Sequence, residues 1–401
     1  MPRPRTGRAV LLLVLTTCAG APARAQPVLT QLQNAILRVE DAAAVTFGRS
    51  LPLPSASAGV SYAFDPATGN FQRQSSTFGQ VYLDRADPIG ARKVNVQVGY
   101  QYVKLTEISG HEADDLRDPD PIYLPGKAGA LRIPRFDVSA ALHQMLFAGT
   151  YGITDDFEMS LAIPVVYSDI SAGLQAEVFG FRADGSVINR SLHPVDTQGT
   201  LGVGDLLLRA KYRIVEANLV HASAGLLLRL PTGETSALRG VGFFEVAPAI
   251  LASSRIFRPA DWARLQVHLN ATVGFDTEDV DQSEARWGIG LDWGVSERFT
   301  AAIAFLGRNQ FSRVAPPGFF DLPRCPGANV VTCATTAEAR DGRAPIFGLS
   351  GARPDYYDIS LGGRGAVWRD TLFVFANVLV PLNDGFVRTA PIPLVGVEAT
   401  F

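Results

Sequence analysis

Residues 94–102 read VNVQVGYQY, and the two faces of that stretch differ in kind. Val94, Val96, Val98, Tyr100 and Tyr102 fall on one side at a period of two, against Asn95, Gln97, Gly99 and Gln101 on the other. This is the pattern of a β-strand held between an apolar and a polar medium. The split returns at Leu265, Val267, Leu269, Ala271, Val273 and Phe275 against Gln266, His268, Asn270, Thr272 and Gly274. Along 204–214, Leu206, Leu208, Ala210, Tyr212 and Ile214 oppose Asp205, Arg209, Lys211 and Arg213. Each stretch spans about ten residues, the length a tilted strand needs to cross a bilayer.

Counted this way, strands are expected near 93–106, 132–150, 155–170, 203–215, 218–230, 242–254, 263–275, 285–294, 298–309, 355–368, 371–382 and 390–401. The fold class is therefore all-β, a transmembrane antiparallel barrel of about 12 strands, with fourteen as the alternative count. The connections at 107–131, 171–202, 231–241, 276–284, 310–354 and 383–389 are mostly long, whereas Val295-Ser296-Glu297 and Arg369-Asp370 are short turns. Long loops and short turns segregate across an outer membrane, which places 107–131, 171–202 and 310–354 outside. A soluble β-sandwich also alternates, with its polar face in bulk water. That rhythm of connections argues against it, as do the aromatic residues Tyr100, Tyr102, Tyr151, Tyr167, Trp287 and Trp293 at the ends of the apolar faces.

The 401 residues are 47% hydrophobic and only 19% charged, yet beyond the N-terminus no uninterrupted apolar run approaches the roughly 20 residues of a spanning helix. The net charge of −3 becomes more acidic once Arg3, Arg5, Arg8 and Arg24 are removed, which disfavours nucleic acid as a partner. Those four arginines lie in residues 1–25, which read as a signal peptide: a basic head, an apolar middle from Ala9 to Gly20, and Ala23-Arg24-Ala25 as the cleavage site before Gln26. Cys18 sits in that segment, and a lipoprotein site there is the weaker reading because Thr17 precedes it. Cys325 and Cys333 remain, and in an exported chain they read as one short-loop disulfide. A zinc pair lacks a nearby His.

Residues 26–90 break the alternation and are expected to form a plug in the lumen or a periplasmic segment, with residues 91–401 as the barrel. Leu29, Leu32, Ile36, Val39 and Ala43 recur at helical spacing after Thr30 and Gln33, which predicts a helix over 31–44. Val60 to Phe64 and Phe71 to Gln74 predict a small hairpin around 65–70. At the other end Val395, Val397, Ala399 and Phe401 alternate outward onto an aromatic carboxy-terminus, similar to the signal by which barrel-assembly machinery recognises outer-membrane proteins.

Several stretches carry a family resemblance: Ser76-Thr77-Phe78-Gly79 with Asp84-Arg85-Ala86, Tyr151-Gly152-Ile153-Thr154-Asp155, Gly202-Val203-Gly204-Asp205 leading to Lys211-Tyr212-Arg213, and Leu230-Pro231-Thr232-Gly233. Over most of 75–401 the chain resembles the outer-membrane barrel transporters labelled as a meta pathway of phenol degradation, which are distantly similar to long-chain fatty-acid transporters. The resemblance implies passage of small, often aromatic or hydrophobic molecules. Each glycine motif also has a plain structural reading, as a turn or strand end.

Chemical machinery is sparse. His111-Glu112 has no second His at metalloprotease spacing, Gly362-Gly363-Arg364-Gly365 lies in a strand pattern, and G-x-S-x-G is absent. Ser139 and His143 share a face but stand about 13 Å apart along a strand. No enzyme, cofactor or metal is expected.

Strand parity instead collects an inward set: Glu158, Asp205, Arg209, Lys211, Arg213, Arg229, Glu245, Arg286 and Asp292, with His221, His268, Arg308, Asp358 and Arg364. Phe373 and Phe375 face inward as well if Leu372, Val374 and Ala376 meet lipid. These residues are the expected pore lining. Most of the charges read as cross-lumen ion pairs, because a charge in a narrow interior must be paired or wet. The ladder of Arg209, Lys211 and Arg213 reads as a filter for anions, three like charges that cannot satisfy one another. A lumen of about 10 Å would exclude bulk diffusion.

The chain is thus expected to be a monomeric outer-membrane channel or transporter for a small molecule, in contact with lipid and lipopolysaccharide. The acidic loop of Asp276, Glu278, Asp279, Asp281 and Glu284 reads as solvated, ahead of cation-bridged lipopolysaccharide. The alternative function is a structural or surface-interaction barrel with a plugged lumen and functional outer loops.

Overall fold

The computed structural model describes residues 77–118, 120–124, 129–181, 186–193, 195–254, 256–260, 263–313, 321–335, 342–349, 353, 355–368 and 371–401, together with 46–47, 54–55, 61–65 and 70–73. The expected signal peptide, the helix over 31–44 and the Arg369-Asp370 turn lie outside the described residues.

Twelve long strands run in chain order around one ring: β1 Val94–Ile108, β2 Gly129–Gly152, β3 Phe157–Phe181, β4 Leu206–Glu216, β5 Val220–Leu230, β6 Glu245–Ser254, β7 Ala263–Asp276, β8 Glu284–Gly294, β9 Phe299–Gln310, β10 Asp355–Trp368, β11 Leu372–Pro381 and β12 Ile392–Thr400. Every neighbouring pair is antiparallel, and the ring closes where β12 pairs β1 at Val397 and Val98. All backbone groups of a closed barrel find strand partners, which is what a membrane interior demands. Each of the twelve expected strands is present. No helix among the described residues is long and apolar enough to cross a membrane.

The register lays one apolar row across neighbouring strands: Val98 opposite Phe147, Phe147 opposite Ile163, and Leu291 opposite Ile303, itself opposite Leu361. These side chains point out of the barrel, and many of their size are exposed, among them Phe147 at 41%, Ile303 at 43% and Ile250 at 52%. So large an exposed apolar band is a surface built for lipid. Aromatic rings edge it on both sides. Tyr151, Phe157, Tyr212, Trp293 and Phe299 lie toward the short turns, and Tyr102, Tyr167, Trp287, Phe305 and Tyr357 toward the long connections. Trp287 packs its ring edge-on to Phe305 with centroids 5.5 Å apart.

The short turns include 153–156, 217–219 and 295–298, and Val94 and Phe401 exchange backbone hydrogen bonds at that same end. Toward the other end the connections carry more strand than the sequence predicts. Residues 171–181 continue β3; residues 165–173 pair with Val195–Val203, a strand that leads into β4 across Gly204-Asp205, and residues 176–181 pair with the short strand Val187–Leu192. Along them Ala172, Leu174, Ala176 and Val178 are buried inward. Above the membrane the outward face meets water, so Asp169 and Glu177 replace the apolar row and the two-sided signal fades. Short strands Ile122–Leu124, Asp321–Arg324 and Gly342–Pro345 pair within the other long connections, near a one-turn helix, α1, Val330–Thr335. Upstream of the barrel, Tyr62–Asp65 pairs with Asn70–Arg73, a hairpin where the turn residues predict one.

Candidate functional site

The lumen has three layers. Near the short turns, residues 77–90 run inside the barrel as an irregular segment tied to the inward faces of most strands. The Ile89 amide donates to Glu158 Oε2 on β3 at 2.6 Å, and Lys211 Nζ on β4 donates to the carbonyls of Arg85 and Asp87 at 3.0 and 3.1 Å. Asp87 pairs with His221 on β5, and the Ala86 amide donates to Ser253 Oγ on β6 at 2.9 Å. Gln80 Nε2 reaches Asp292 Oδ1 on β8 at 2.6 Å, and the Phe78 amide donates to Thr300 Oγ1 on β9 at 3.1 Å. The Phe78 ring meets Phe373 of β11 at 5.0 Å between centroids, while Val81 packs with Phe375. Parity chose Glu158, Lys211, His221, Asp292, Phe373 and Phe375 as inward, since alternate residues of a pleated strand share a face, whereas Ser253 and Thr300 are additions from the structure. Their partners come from a segment without periodicity.

Above this segment lies a cavity of about 210 Å³. Leu83, Leu227, Ala247, Ala249 and Leu251 give it an apolar wall, and Arg209, Arg286, Arg308, Asp358, Asn270 and Thr272 give it a polar one. Tyr82 and Asp84 of the inner segment line it too, and the buried Tyr82 hydroxyl has no hydrogen-bond partner among the described residues. Two of the wall's arginines, Arg286 and Arg308, belong to an ion-pair chain that continues behind it: Arg229 with Glu245 at 3.5 Å, Glu245 with Arg286, Arg286 with Glu284 at 3.7 Å, and Glu284 with Arg308 at 3.9 Å. Arg388 closes on Asp358 at 2.9 Å, and the Arg308 guanidinium lies 4.2 Å over the Tyr356 ring.

The ladder on β4 differs from its expectation. Arg209, Lys211 and Arg213 do share the inward face, but each has its own acid: Asp84 at 3.7 Å, Glu158 at 2.8 Å and Asp156 at 2.6 Å. Two of those acids, Glu158 and Asp156, lie on or beside the neighbouring strand, and Asp84 comes from the inner segment. The three cations therefore do not stand as an uncompensated filter. Asp205, at the break before β4, accepts from the amides of Gly233 and Val241 at 3.0 and 2.9 Å, a structural tie between two connections. Phe373 and Phe375 likewise pack on residues 77–81 instead of facing an open passage.

The outer layer is apolar. Val103, Leu105, Leu142, Val166, Leu174 and Leu379 of the strands pack with Leu116, Ile122, Leu322, Ile346, Phe347, Phe386 and Val387 of the connections. Phe47, from far upstream, is buried in the same cluster. Phe136 stacks on Phe347 at 5.4 Å. One buried ion pair crosses this cap, Asp118 with Arg324 at 2.6 Å. Burial pushes the Asp118 carboxyl up, against the pull of the Arg324 guanidinium and of the Phe347 amide. Cys325 and Cys333 are joined by a disulfide beside it, with Cα atoms 5.5 Å apart, both sulfurs buried.

Sequence reasoning missed Gln80, Tyr82, Arg85 and Asp87 as lumen residues, because no strand parity applies to them. The signal that pointed at their stretch was the resemblance carried by Ser76-Thr77-Phe78-Gly79 and Asp84-Arg85-Ala86. It also missed the cap, whose members are scattered over several strands and connections.

Among solved structures, an outer membrane channel from Pseudomonas putida F1 is similar at 12% identity and a TM-score of 0.42, over 80% of this chain and 100% of that one. A FadL homologue of Pseudomonas aeruginosa is similar at 11% identity and a TM-score of 0.28, over 78% and 90%. The Ralstonia pickettii toluene transporter TbuX is similar at 7% and 0.31, over 78% and 90%. No curated protein matches the chain. The resemblance read from the sequence holds over the span from β2 through β9: residues 131–312 match the family described as "Putative MetA-pathway of phenol degradation".

Proposed function

We propose that this chain is an outer-membrane channel that carries a small amphipathic molecule, an apolar or aromatic body with one polar group, across the barrel. The observation that carries the reading is the chamber inside a lipid-facing barrel, walled by leucines and alanines on one side and by guanidinium, carboxyl and amide groups on the other. Ligand sites combine a mostly apolar lining with a few placed polar groups in this way. The chamber of about 210 Å³ exceeds the roughly 150 Å³ at which an apolar cavity accepts benzene. A single ring with one or two substituents fits; a long acyl chain does not fit without the cap or the inner segment moving. The family description, which names phenol degradation, agrees with a ring-sized cargo.

The inner segment and the cap favour a second reading, a plugged barrel that works through its outer connections. Uptake separates the two. A deletion strain complemented with the chain should regain uptake from a panel of phenol, benzoate, toluene and octanoate for the ring compounds, and purified protein should conduct in planar bilayers. Growth and uptake identical with and without the chain on every panel member, together with a silent bilayer, would leave the plugged barrel as the function.

A further inference from the structure

On the lipid-facing wall two aromatic clusters stand at the edge nearer the long connections, and they differ in what their polar atoms meet. The cluster on β8, β9 and β10 is closed. Trp287 Nε1 donates to Asn309 Oδ1 at 3.0 Å and Asn309 Nδ2 donates to the Tyr357 hydroxyl at 3.3 Å, with Phe305 stacked on Tyr357 at 6.1 Å between centroids. The acid just beyond it, Asp355, pairs with Arg353 at 3.4 Å. On β1, β2 and β3 the register lays Tyr102, His143 and Tyr167 side by side in one row. The Tyr102 and Tyr167 rings lie 5.0 and 6.1 Å from the His143 ring, and the Tyr100 hydroxyl is 2.8 Å from His143 Nδ1. With that hydroxyl as donor the ring proton stands on Nε2. His143 is exposed, and its Nε2 meets no hydrogen-bond partner among the described residues.

The next outward row, about 6.7 Å further along the strands, is Lys104, Ala141 and Asp169. Lys104 and Asp169 are exposed, and their backbones stand about 9.6 Å apart, two strand spacings. No ion pair joins Lys104 to an acid among the described residues. Ala141 between the two is too short to fill the space above His143. Ser139 and Ser171 face each other in the row beyond, whereas Val98, Phe147 and Ile163 form the apolar row below. A girdle needs only rings with satisfied polar atoms, as the closed cluster shows. The open cluster adds an ammonium, an imidazole N–H and a carboxylate around an alanine, at the border where the lipid band ends.

We propose that this face of β1, β2 and β3 binds the phosphorylated sugar headgroup of one lipopolysaccharide molecule. Lys104 Nζ and His143 Nε2 donate to a lipid A phosphate, as charge-assisted contacts that are short and strong. Asp169 accepts from a hydroxyl of the sugar, and the rings of Tyr100, Tyr102 and Tyr167 lie along the first carbons of the acyl chains. The separation of Lys104 from Asp169 suits a sugar ring that carries its phosphate; a lone phosphate leaves the carboxylate facing a like charge. Long connections lie outside the cell, so the row stands in the leaflet where lipopolysaccharide takes the place of phospholipid.

The site rests on the barrel's place in the outer membrane and on no cargo, so its test is retention of lipid A by the intact purified protein. Native mass spectrometry of the detergent-solubilised chain, titrated with lipid A, should show one molecule held in preference to phosphatidylglycerol. Removing both phosphates from the lipid should weaken binding by about tenfold, the scale of one lost charge-assisted contact. Lys104→Gln with His143→Leu should lose a similar factor, and Lys104→Gln alone, a change confined to the surface, should lose part of it. Lys104→Arg should keep most of the binding, and Asn309→Leu in the closed cluster should keep all of it, with the heat-modifiable band on a gel reporting that each chain is folded. Unchanged binding in both Lys104→Gln chains, or lipid A displaced readily by equimolar phosphatidylglycerol, overturns the site. An equal loss in Asn309→Leu overturns it as well, in favour of a general apolar girdle. If lipid A binds as expected while no panel solute is taken up, the site stands and the cargo assignment falls.

Discussion

Toward the short turns the lumen is filled by residues 77–90, gripped by Glu158, Lys211, His221, Ser253 and Asp292; toward the long connections it is filled by Leu116, Ile122, Leu322, Ile346 and Phe347. The first filling is tied to the strands mostly by polar contacts, with Phe78, Val81, Leu83 and Ile89 buried among them, and comes from one stretch of chain just before β1. The second is apolar and is assembled from connections as far apart in sequence as 113 and 387. The difference teaches how one barrel meets two demands. Inside the membrane the inward strand faces carry charge, and a charge in a narrow interior needs a partner within reach. Above it the strands extend beyond the lipid, their inward faces turn apolar, and the connections fold over them as an ordinary hydrophobic core. The chamber lies at the boundary and takes one wall from each chemistry.

The strongest way to break this comparison is to remove a buried partner from the polar half. Glu398 on β12 is 1% exposed and lies 2.9 Å from Arg364, also 1% exposed, with the Arg85 guanidinium nearby. Glu398→Ala should cost about 3–5 kcal/mol, because it strands a cation in low dielectric. It should lower the urea midpoint of the folded form on a gel. The same truncation at Phe347 in the cap should leave that midpoint unchanged while admitting protease to the connections. Equal losses of barrel stability for both would mean that the two fillings are one cooperative unit.

The next test concerns the wall between lumen and lipid. Leu208 and Arg209 are adjacent on β4 and face opposite media. Leu208→Arg should cost roughly 2–4 kcal/mol and impair assembly, as a cation on the lipid face near mid-strand does. Arg209→Gln should assemble, and because Arg209 is matched by Asp84 its effect on anion preference should be modest. Normal insertion of Leu208→Arg with failure of Arg209→Gln would reverse the faces of this strand.

How much of this was legible beforehand follows from the same contrast. The twelve strands, their faces and the inward position of Arg209, Lys211, Glu245 and Asp292 could be read because two media act on alternate residues of one local stretch. The ion partners could not, since pairing depends on register: Lys211 meets Glu158 because β4 lies opposite β3 in that alignment, which no count of charges shows. The segment 77–90 has no period to read, and Asp84 entered the ladder from it unannounced. The cap was hidden for a further reason. Its strand extensions, such as 171–181, keep an apolar inner face but lose the apolar outer one, so they read as loop.

The smallest expected effect lies in the cap. Cys325 and Cys333 are eight residues apart and close a small ring at the edge of the layer that contains Tyr123 and Ala130. Constraining so short a loop in the unfolded chain contributes about 2–3 kcal/mol, and only to the region that the ring orders. A Cys325→Ala, Cys333→Ala chain should therefore assemble with the urea midpoint of the parent barrel, because the strand pairings and the inner ion pairs are untouched. Its effect should show as faster amide exchange in 321–335 and along Ile122–Leu124, which pairs with Arg324. The buried Asp118–Arg324 pair would remain as the second tie between those connections. If the double variant instead fails to assemble, the cap is part of the folding unit of the barrel, and the division of the lumen into an inner and an outer filling loses its energetic meaning.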